Sequence, residues 1–80
     1  MKIGFSDRAL LAIANAPPGI RKAFHKQASF LMRDLSYPSL RAKKYNEAFD
    51  WWQARVNKNW RFYFTIEGDT YRIQDITPHP

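Results

Sequence analysis

The chain has 80 residues, of which 45% are hydrophobic and 16% aromatic, and it contains no cysteine. This apolar content excludes a disordered chain, and the lack of cysteine excludes disulfides, a thiol nucleophile and a cysteine zinc site. Thirteen Lys and Arg against seven Asp and Glu give a net charge of +6, which favours an anionic partner such as nucleic acid, the ribosome or an acidic protein.

The length predicts one domain, residues 1–80. The two histidines, His25 and His79, are not spaced as a ligand pair, so we expect no metal and no small-molecule cofactor. No apolar run approaches the roughly 18–20 residues of a membrane span, and residues 1–10, MKIGFSDRAL, lack the apolar segment of a signal peptide. We therefore expect a cytoplasmic protein with no membrane partner.

The N-terminal part predicts a short strand followed by two helices. Residues 2–5, KIGF, form the strand, and Ser6 or Asp7 is suited to cap the first helix because its side-chain oxygen can accept from a free N–H group of the first turn. The Pro17-Pro18 pair ends that helix. From Gly19 to Leu35 the apolar residues recur every three or four positions, as in an amphipathic helix: Ile20, Ala23, Phe24, Ala28, Leu31 and Leu35.

The C-terminal part changes to a period of two residues. Residues 36–40 predict a loop, and residues 41–50 predict a loop with a possible short strand. Three strand candidates follow: WWQARVN, NWRFYFTIE and TYRIQDIT. The fold class is therefore α+β, with two N-terminal helices packed on a small twisted antiparallel sheet in the order β-α-α-β-β-β.

Two arginines are predicted on the outer face of this sheet. In the stretch RVNKNWRFYF, alternation separates Arg61 from the apolar residues Trp60, Phe62 and Phe64, which we expect to face the helices. On the preceding strand, Arg55 falls opposite the residues that share the apolar face, Trp52, Ala54 and Val56.

The positive charge is concentrated in one part of the chain. Six basic residues against two acidic ones give residues 41–61 a net charge of +4, two thirds of the total. The basic residues are Arg41, Lys43, Lys44, Arg55, Lys58 and Arg61, and the acidic ones are Glu47 and Asp50. This concentration favours a polyanion-binding surface.

The element order, size, charge and central motif together resemble the RelE/ParE superfamily of bacterial type II toxin–antitoxin toxins. The motif is Arg55, Val56 and Arg61 followed by FYF, with RAKKY before it and a histidine in ITPHP at the end. The resemblance implies one of two activities. RelE-like members cleave mRNA, usually on the ribosome, without a metal, whereas ParE-like members inhibit DNA gyrase. It also implies a cognate antitoxin as a partner, beside mRNA and the ribosome.

Retention of a histidine and a lysine pair beside the arginines favours the mRNA-cleaving branch. Such cleavage needs a group that removes the proton of the ribose 2′-hydroxyl, a group that stabilises the charge on the phosphorane, and a group that protonates the leaving oxygen. The resemblance places Arg61 at the phosphate, because a guanidinium holds two phosphate oxygens and keeps its charge. His79 is suited to proton transfer, and Lys44 is a candidate proton acceptor. The residues expected to bind RNA are Arg55, Lys43, Arg41, Lys58 and, by stacking on a base, Trp60.

Each of these residues also has a purely structural interpretation. The arginines could be a solvated strand face, His79 a tail residue, the lysine pair a solvated pair, and the tryptophans core residues. Two other functions stay open as well. A gyrase inhibitor needs the surface without the histidine, and a non-catalytic RNA-binding or ribosome-binding module binds with a steep salt dependence and forms no product.

Overall fold

The computed structural model describes residues 1–79. Residues 1–79 form five strands, two helices and one 3₁₀ turn. In chain order these are β1 (Lys2–Phe5), α1 (Asp7–Asn15), α2 (Pro18–Arg33), the 3₁₀ turn (Pro38–Leu40), β2 (Lys43–Asn46), β3 (Trp51–Arg55), β4 (Trp60–Glu67) and β5 (Thr70–Pro78). Among the described residues, no helix is long and apolar enough to cross a membrane.

The sheet confirms the α+β prediction but differs from it in two details. It has five strands in the order β1-β5-β4-β3-β2, and β1 runs parallel to β5 while the other pairs are antiparallel. Parallel neighbours need a long connection, and here both helices and three strands separate β1 from β5 in the chain. The additional strand is β2, which lies where the sequence predicted a loop with a possible short strand, and its sequence KKYN carries no apolar alternation.

Ser6 caps the N-terminus of α1 and is one of the two capping residues that the sequence predicted. Its Oγ accepts from the backbone N–H of Ala9 at 3.1 Å and donates to the carbonyl of Gln74 at 3.1 Å. The cap therefore satisfies one free N–H group of the first turn and also attaches the start of α1 to β5.

A bulge in β5 keeps two core residues on the same face. Tyr63 pairs with Asp75 and Phe64 pairs with Ile73, so Gln74 is the extra residue. Ile73 and Ile76 are therefore both buried against the helices although they are three positions apart. The bulge also sets the orientation of the rest of β5, so that Thr77 lies opposite Arg61.

The core lies between the sheet and α2. Phe62 and Phe64 are fully buried, as the alternation predicted, and the ring of Phe62 meets that of Phe24 edge-on at 5.3 Å between centroids. Ile66 shares their parity but is 40% exposed. The other buried apolar residues of this cluster are Ala9, Ala28, Leu31, Leu40, Ala54, Val56, Tyr71, Ile73 and Ile76.

One buried amide joins three elements. Gln27 of α2 donates from Nε2 to the carbonyl of Ser39 at 3.0 Å and to the carbonyl of Arg55 at 2.9 Å. Its Oε1 accepts from the Oγ of Ser39 at 3.0 Å. Gln27 is 7% exposed, so these bonds replace water at both ends of the amide and link α2 to the 3₁₀ turn and to the last residue of β3.

We expect Gln27→Leu to lower the free energy of unfolding by about 1–3 kcal/mol, because it leaves the carbonyl of Arg55 without its side-chain donor at nearly constant volume. Urea denaturation measures this change. Ser29→Ala is the control on the same helix, since the exposed Ser29 hydroxyl donates only to Lys26. Equal stability of the two variants would contradict a structural role for the amide.

Candidate functional site

A cleft of about 340 Å³ opens on the face of the sheet opposite α2. It brings together five of the residues that the sequence pointed to, each from a different part of the fold. The lining residues are Arg41 after the 3₁₀ turn, Lys43 of β2, Gln53, Ala54 and Arg55 of β3, Arg61 of β4 and His79 after β5. We call this set the basic cleft.

Arg61 is held by the turn between β3 and β4. Its Nη1 donates to the carbonyls of Asn57 at 2.9 Å, Lys58 at 3.2 Å and Trp60 at 3.0 Å. Within residues 1–79 the guanidinium makes all its hydrogen bonds through this one nitrogen. The Nε and Nη2 donors of Arg61 are therefore available to an anion, on a side chain whose orientation is already fixed.

Arg55 lies directly across from Arg61, as its partner in the β3–β4 ladder. Partial burial lowers the pKa of Arg55, and the positive charges of Arg41 and Arg61 lower it further. A guanidinium stays protonated in proteins nonetheless. The three cations therefore repel one another, and an anion bound between them would relieve that repulsion.

Among residues 1–79, no carboxylate lines the basic cleft. The ion pairs within residues 1–79 lie elsewhere, and those that involve lysine are Lys2–Asp69, Lys44–Glu47 and Lys44–Asp50. The remaining pair joins Arg8 to Asp75. No acidic side chain of residues 1–79 thus compensates the charge of the cleft, which is the electrostatic state expected of a site for a polyanion.

Arg41 adopts a backbone conformation that is rare for its residue type. Its φ is 46° and its ψ is 44°, in the left-handed region. Only glycine, and less often asparagine or aspartate, occupies this region readily. The side chain of Arg41 reaches the basic cleft from this strained position, and such strain is concentrated at functional sites in proteins.

His79 is tied to the sheet rather than free in a tail. Its backbone N–H donates to the carbonyl of Asn59 at 2.6 Å, which extends the β4–β5 ladder beyond the Trp60–Pro78 pair. His79 lines the basic cleft together with Arg61. The structure thus places the predicted proton-transfer group next to the predicted phosphate-binding group.

Lys44 lies apart from this cleft. It pairs with Trp52, whose side chain is on the helix face, and its Nζ is 5.5 Å from the centre of that ring. Nζ donates to Asp50 at 2.9 Å and is 4.0 Å from Glu47. The hydrogen bond to Asp50 raises the pKa of Lys44 above its ordinary value, so this amine is poorly suited to accept a proton. Only its neighbour Lys43 joins the arginines.

Lys58 and Trp60 also lie outside the basic cleft. Lys58 lines a second groove of about 470 Å³ between α2 and the β3–β4 turn, together with Lys26 and Tyr37. Trp60 packs against the core on the helix face. The prediction that Trp60 stacks on a base in the cleft is therefore not supported. Trp60 and Arg61 are adjacent in β4, so their side chains lie on opposite faces of the sheet.

The sequence reasoning missed a group of aromatic residues beside the cleft. Tyr45, Trp51 and Tyr63 lie together on the same face, with ring centroids 4.9 Å apart for Tyr45 and Tyr63 and 6.2 Å apart for Trp51 and Tyr63. A signal was present for two of them, since Tyr63 shares the parity of Arg61 and Trp51 shares that of Arg55. We call these three residues the aromatic platform.

No metal-binding constellation is formed within residues 1–79, where no three His, Asp or Glu side chains lie close enough together to hold an ion. The groups that the basic cleft offers a ligand are guanidinium, ammonium, amide and imidazole donors. These are donors that match phosphate or carboxylate oxygens.

No protein-family model and no curated protein sequence matches the chain. Solved structures do match its fold. The RelB–RelE antitoxin–toxin complex from Methanococcus jannaschii aligns with a TM-score of 0.77 at 19% identity, over 94% of this chain and 88% of the other. A YoeB/ParE toxin from Agrobacterium tumefaciens aligns with a TM-score of 0.82 at 10% identity over the whole of both chains. The toxin–antitoxin complex RelBE2 from Mycobacterium tuberculosis aligns with a TM-score of 0.80 at 20% identity, over 98% and 90%.

These likenesses show that the chain has the fold of the RelE/ParE toxins, as the sequence resemblance predicted. At such identities they describe the backbone. What the side chains of the basic cleft do is a separate question.

We expect Arg41→Asn to raise the free energy of unfolding by up to about 1 kcal/mol, because asparagine tolerates the left-handed conformation and the change removes one of the repelling cations. Urea denaturation at low ionic strength measures the effect. Lys22→Gln, on the exposed surface of α2, is the control for loss of a charge alone, because glutamine and lysine favour a helix about equally. A less stable Arg41→Asn variant would contradict the strain and repulsion described above.

Proposed function

We propose that this chain is the toxin of a type II toxin–antitoxin pair, and that it is an endoribonuclease that cleaves ribosome-associated mRNA without a metal and so inhibits translation. The observation that carries the proposal is the basic cleft. Arginines, a lysine and a histidine from separate elements meet in one cleft that no carboxylate of residues 1–79 lines, on a fold like that of RelE and YoeB toxins.

The chemistry of RNA cleavage fits the groups in this cleft. The 2′-oxygen of a ribose attacks the adjacent phosphorus, so that the bond from phosphorus to the 2′-oxygen forms and the bond to the 5′-oxygen breaks. One proton leaves the 2′-hydroxyl and one reaches the 5′-oxygen, and the products are a 2′,3′-cyclic phosphate and a 5′-hydroxyl. The RNA itself supplies the nucleophile, so the protein has to move protons and stabilise charge.

Arg61 is assigned to the scissile phosphate. The turn carbonyls fix its orientation through Nη1, and its other donors can bind two oxygens of the phosphorane as charge develops there. Arg55, facing it across the ladder, adds a second cation at the same place. Loss of one such preorganised donor typically costs about 10²–10³ in rate.

His79 is assigned to proton transfer, since an imidazole both takes and gives a proton near neutral pH. Lys43 and Arg41 are assigned to neighbouring phosphates of the same strand. Lys44, Lys58 and Trp60 are left out of this assignment because they lie outside the basic cleft.

A cognate antitoxin is the protein partner of this proposal. The matched structures from Methanococcus jannaschii and Staphylococcus aureus are complexes of RelE with RelB and of YoeB with YefM. By analogy, we expect an antitoxin with an acidic segment that covers the basic face of this sheet, since opposite charge favours such a contact.

The deciding experiment is expression of the wild type, Arg61→Ala and His79→Ala in bacteria without an antitoxin, with primer extension to map new 5′ ends of mRNA. We expect growth arrest and new cuts within translated messages for the wild type. Both variants should lose the cuts, because one lacks the phosphate-binding group and the other the proton-transfer group.

Other outcomes of that experiment decide against the proposal. Arrest with intact mRNA and an induced SOS response would identify a gyrase inhibitor, in which His79→Ala stays toxic. Binding to RNA that weakens steeply with salt but yields no product would identify a non-catalytic module. His25→Ala, at an exposed position on α2, controls for loss of an imidazole elsewhere.

The adjacent lysines allow a matched test of the assignment. Lys43→Ala should weaken RNA binding and reduce cleavage, because it removes a cation of the basic cleft. Lys44→Ala should leave cleavage near the wild-type level, since its amine is bound to Asp50 on the other face. Cleavage rates of purified variants on translating ribosomes measure the difference, and a larger loss for Lys44→Ala would contradict the placement of the site.

A further inference from the structure

We propose that the aromatic platform of Tyr45, Trp51 and Tyr63 is a base-stacking site for single-stranded RNA whose phosphates lie in the basic cleft. The inference rests on the proposed function for the identity of the strand. It adds a binding site for the bases of the nucleotides next to the cleavage point, which the arginines and His79 do not contact.

The platform and the basic cleft form one continuous surface. Tyr63 follows Arg61 by two residues on β4, so the two side chains share a face and their Cα atoms are about 7 Å apart along the strand. Gln53 lines the cleft, pairs with Tyr63 across the ladder, and donates from Nε2 to its hydroxyl at 3.2 Å. This hydrogen bond from a residue of the cleft fixes the orientation of the Tyr63 ring.

Three neighbouring strands contribute to both surfaces. Each carries a cation of the cleft and an aromatic residue of the platform, and the pairs are Lys43 and Tyr45 on β2, Arg55 and Trp51 on β3, and Arg61 and Tyr63 on β4. Arg55 and Arg61 face each other across the ladder, and Lys43 pairs with Gln53, the partner of Tyr63. A strand of RNA on this face would therefore meet cations and aromatic rings side by side.

The platform encloses a recess of about 290 Å³. Its far end is formed by Arg8 and Asp75, paired at 3.3 Å from Nε to Oδ2, and Thr77 lies on the side towards His79. Tyr45 is 58% exposed at the outer edge. The recess therefore presents aromatic faces to solvent beside a surface that attracts phosphate.

Charge complementarity selects the occupant. An apolar segment of a protein would bury the rings but leave the adjoining cations unpaired. A single-stranded nucleic acid satisfies both parts, since its bases stack on aromatic rings and its phosphates bind the cations, which is how proteins without base-specific contacts hold single strands. RNA is chosen over DNA because the proposed reaction requires the 2′-hydroxyl.

The test compares two ligands of equal length that cannot be cleaved. One is a single-stranded oligonucleotide with 2′-deoxyribose at every position, and the other is the same sugar-phosphate chain without bases. We expect the wild type to bind the ligand with bases more tightly by about tenfold or more, from the usual contribution of stacking. Fluorescence anisotropy at a fixed low salt concentration gives both dissociation constants.

Variants separate the platform from the cleft. Tyr45→Ala should bring the two dissociation constants to within a few-fold of each other, and Tyr45→Phe should restore the difference because it keeps the ring. Arg61→Ala should weaken both ligands by a similar factor and leave their ratio unchanged. Leu11→Ala, which removes an exposed apolar side chain of α1, should change neither constant.

The outcomes distinguish this inference from the proposed function. Equal binding of both ligands by the wild type, or no binding of either, overturns the platform even if mRNA is cleaved in cells. A preference for bases that Tyr45→Ala abolishes supports the platform even if the cleavage experiment fails. Unchanged binding in Tyr45→Ala, together with self-association of the wild type that this variant loses in sedimentation, assigns the face to a second copy and overturns the proposal.

Discussion

The side-chain amide of Gln27 is the contact on which the geometry of the cleft depends. It lies on the helix side of the sheet. There it hydrogen-bonds the backbone carbonyls of Ser39 and Arg55 and the hydroxyl of Ser39. Ser39 belongs to the 3₁₀ turn that ends at Leu40, directly before Arg41. One satisfied amide in the interior thus fixes the backbone from which two of the three arginines emerge. Leaving the partners of a buried amide without hydrogen bonds costs free energy, so these bonds keep the backbone beneath the cleft rigid.

Stability and binding act against each other on the outer face. Three guanidiniums are gathered there with no carboxylate of the described residues, 1–79, among them, and Arg41 is held in a conformation that its side chain disfavours. The opposing contribution comes from the packed face beneath, where Phe24, Phe62 and other buried side chains hold the sheet on α2. Sites built for a charged ligand commonly reduce the stability of the free protein in this way.

Local patterns in the sequence predicted most of the fold. The cap at Ser6, the proline pair and the two periodicities located the helices and three strands, and alternation placed Arg55 and Arg61 together on the outer face. Long-range pairing could not be obtained in this way. The parallel contact of β1 with β5 joins residues about 70 positions apart, such as Lys2 and Thr70, and β2 is a polar strand at the edge of the sheet.

The site was predicted less fully than the fold, for the same reason. Lys43 and Lys44 are indistinguishable in a sequence, and only the pairing of β2 with β3 assigns one to the cleft and the other to the face of Trp52. Trp51 and Trp60 likewise lie on opposite faces. Trp60, which the sequence favoured for stacking on a base, packs on the core, whereas Trp51 lies on the outer face. The parallel pair also has a consequence for synthesis. Because β1 has no partner until β5 exists, the sheet can be completed only after residues 70–78 have left the ribosome.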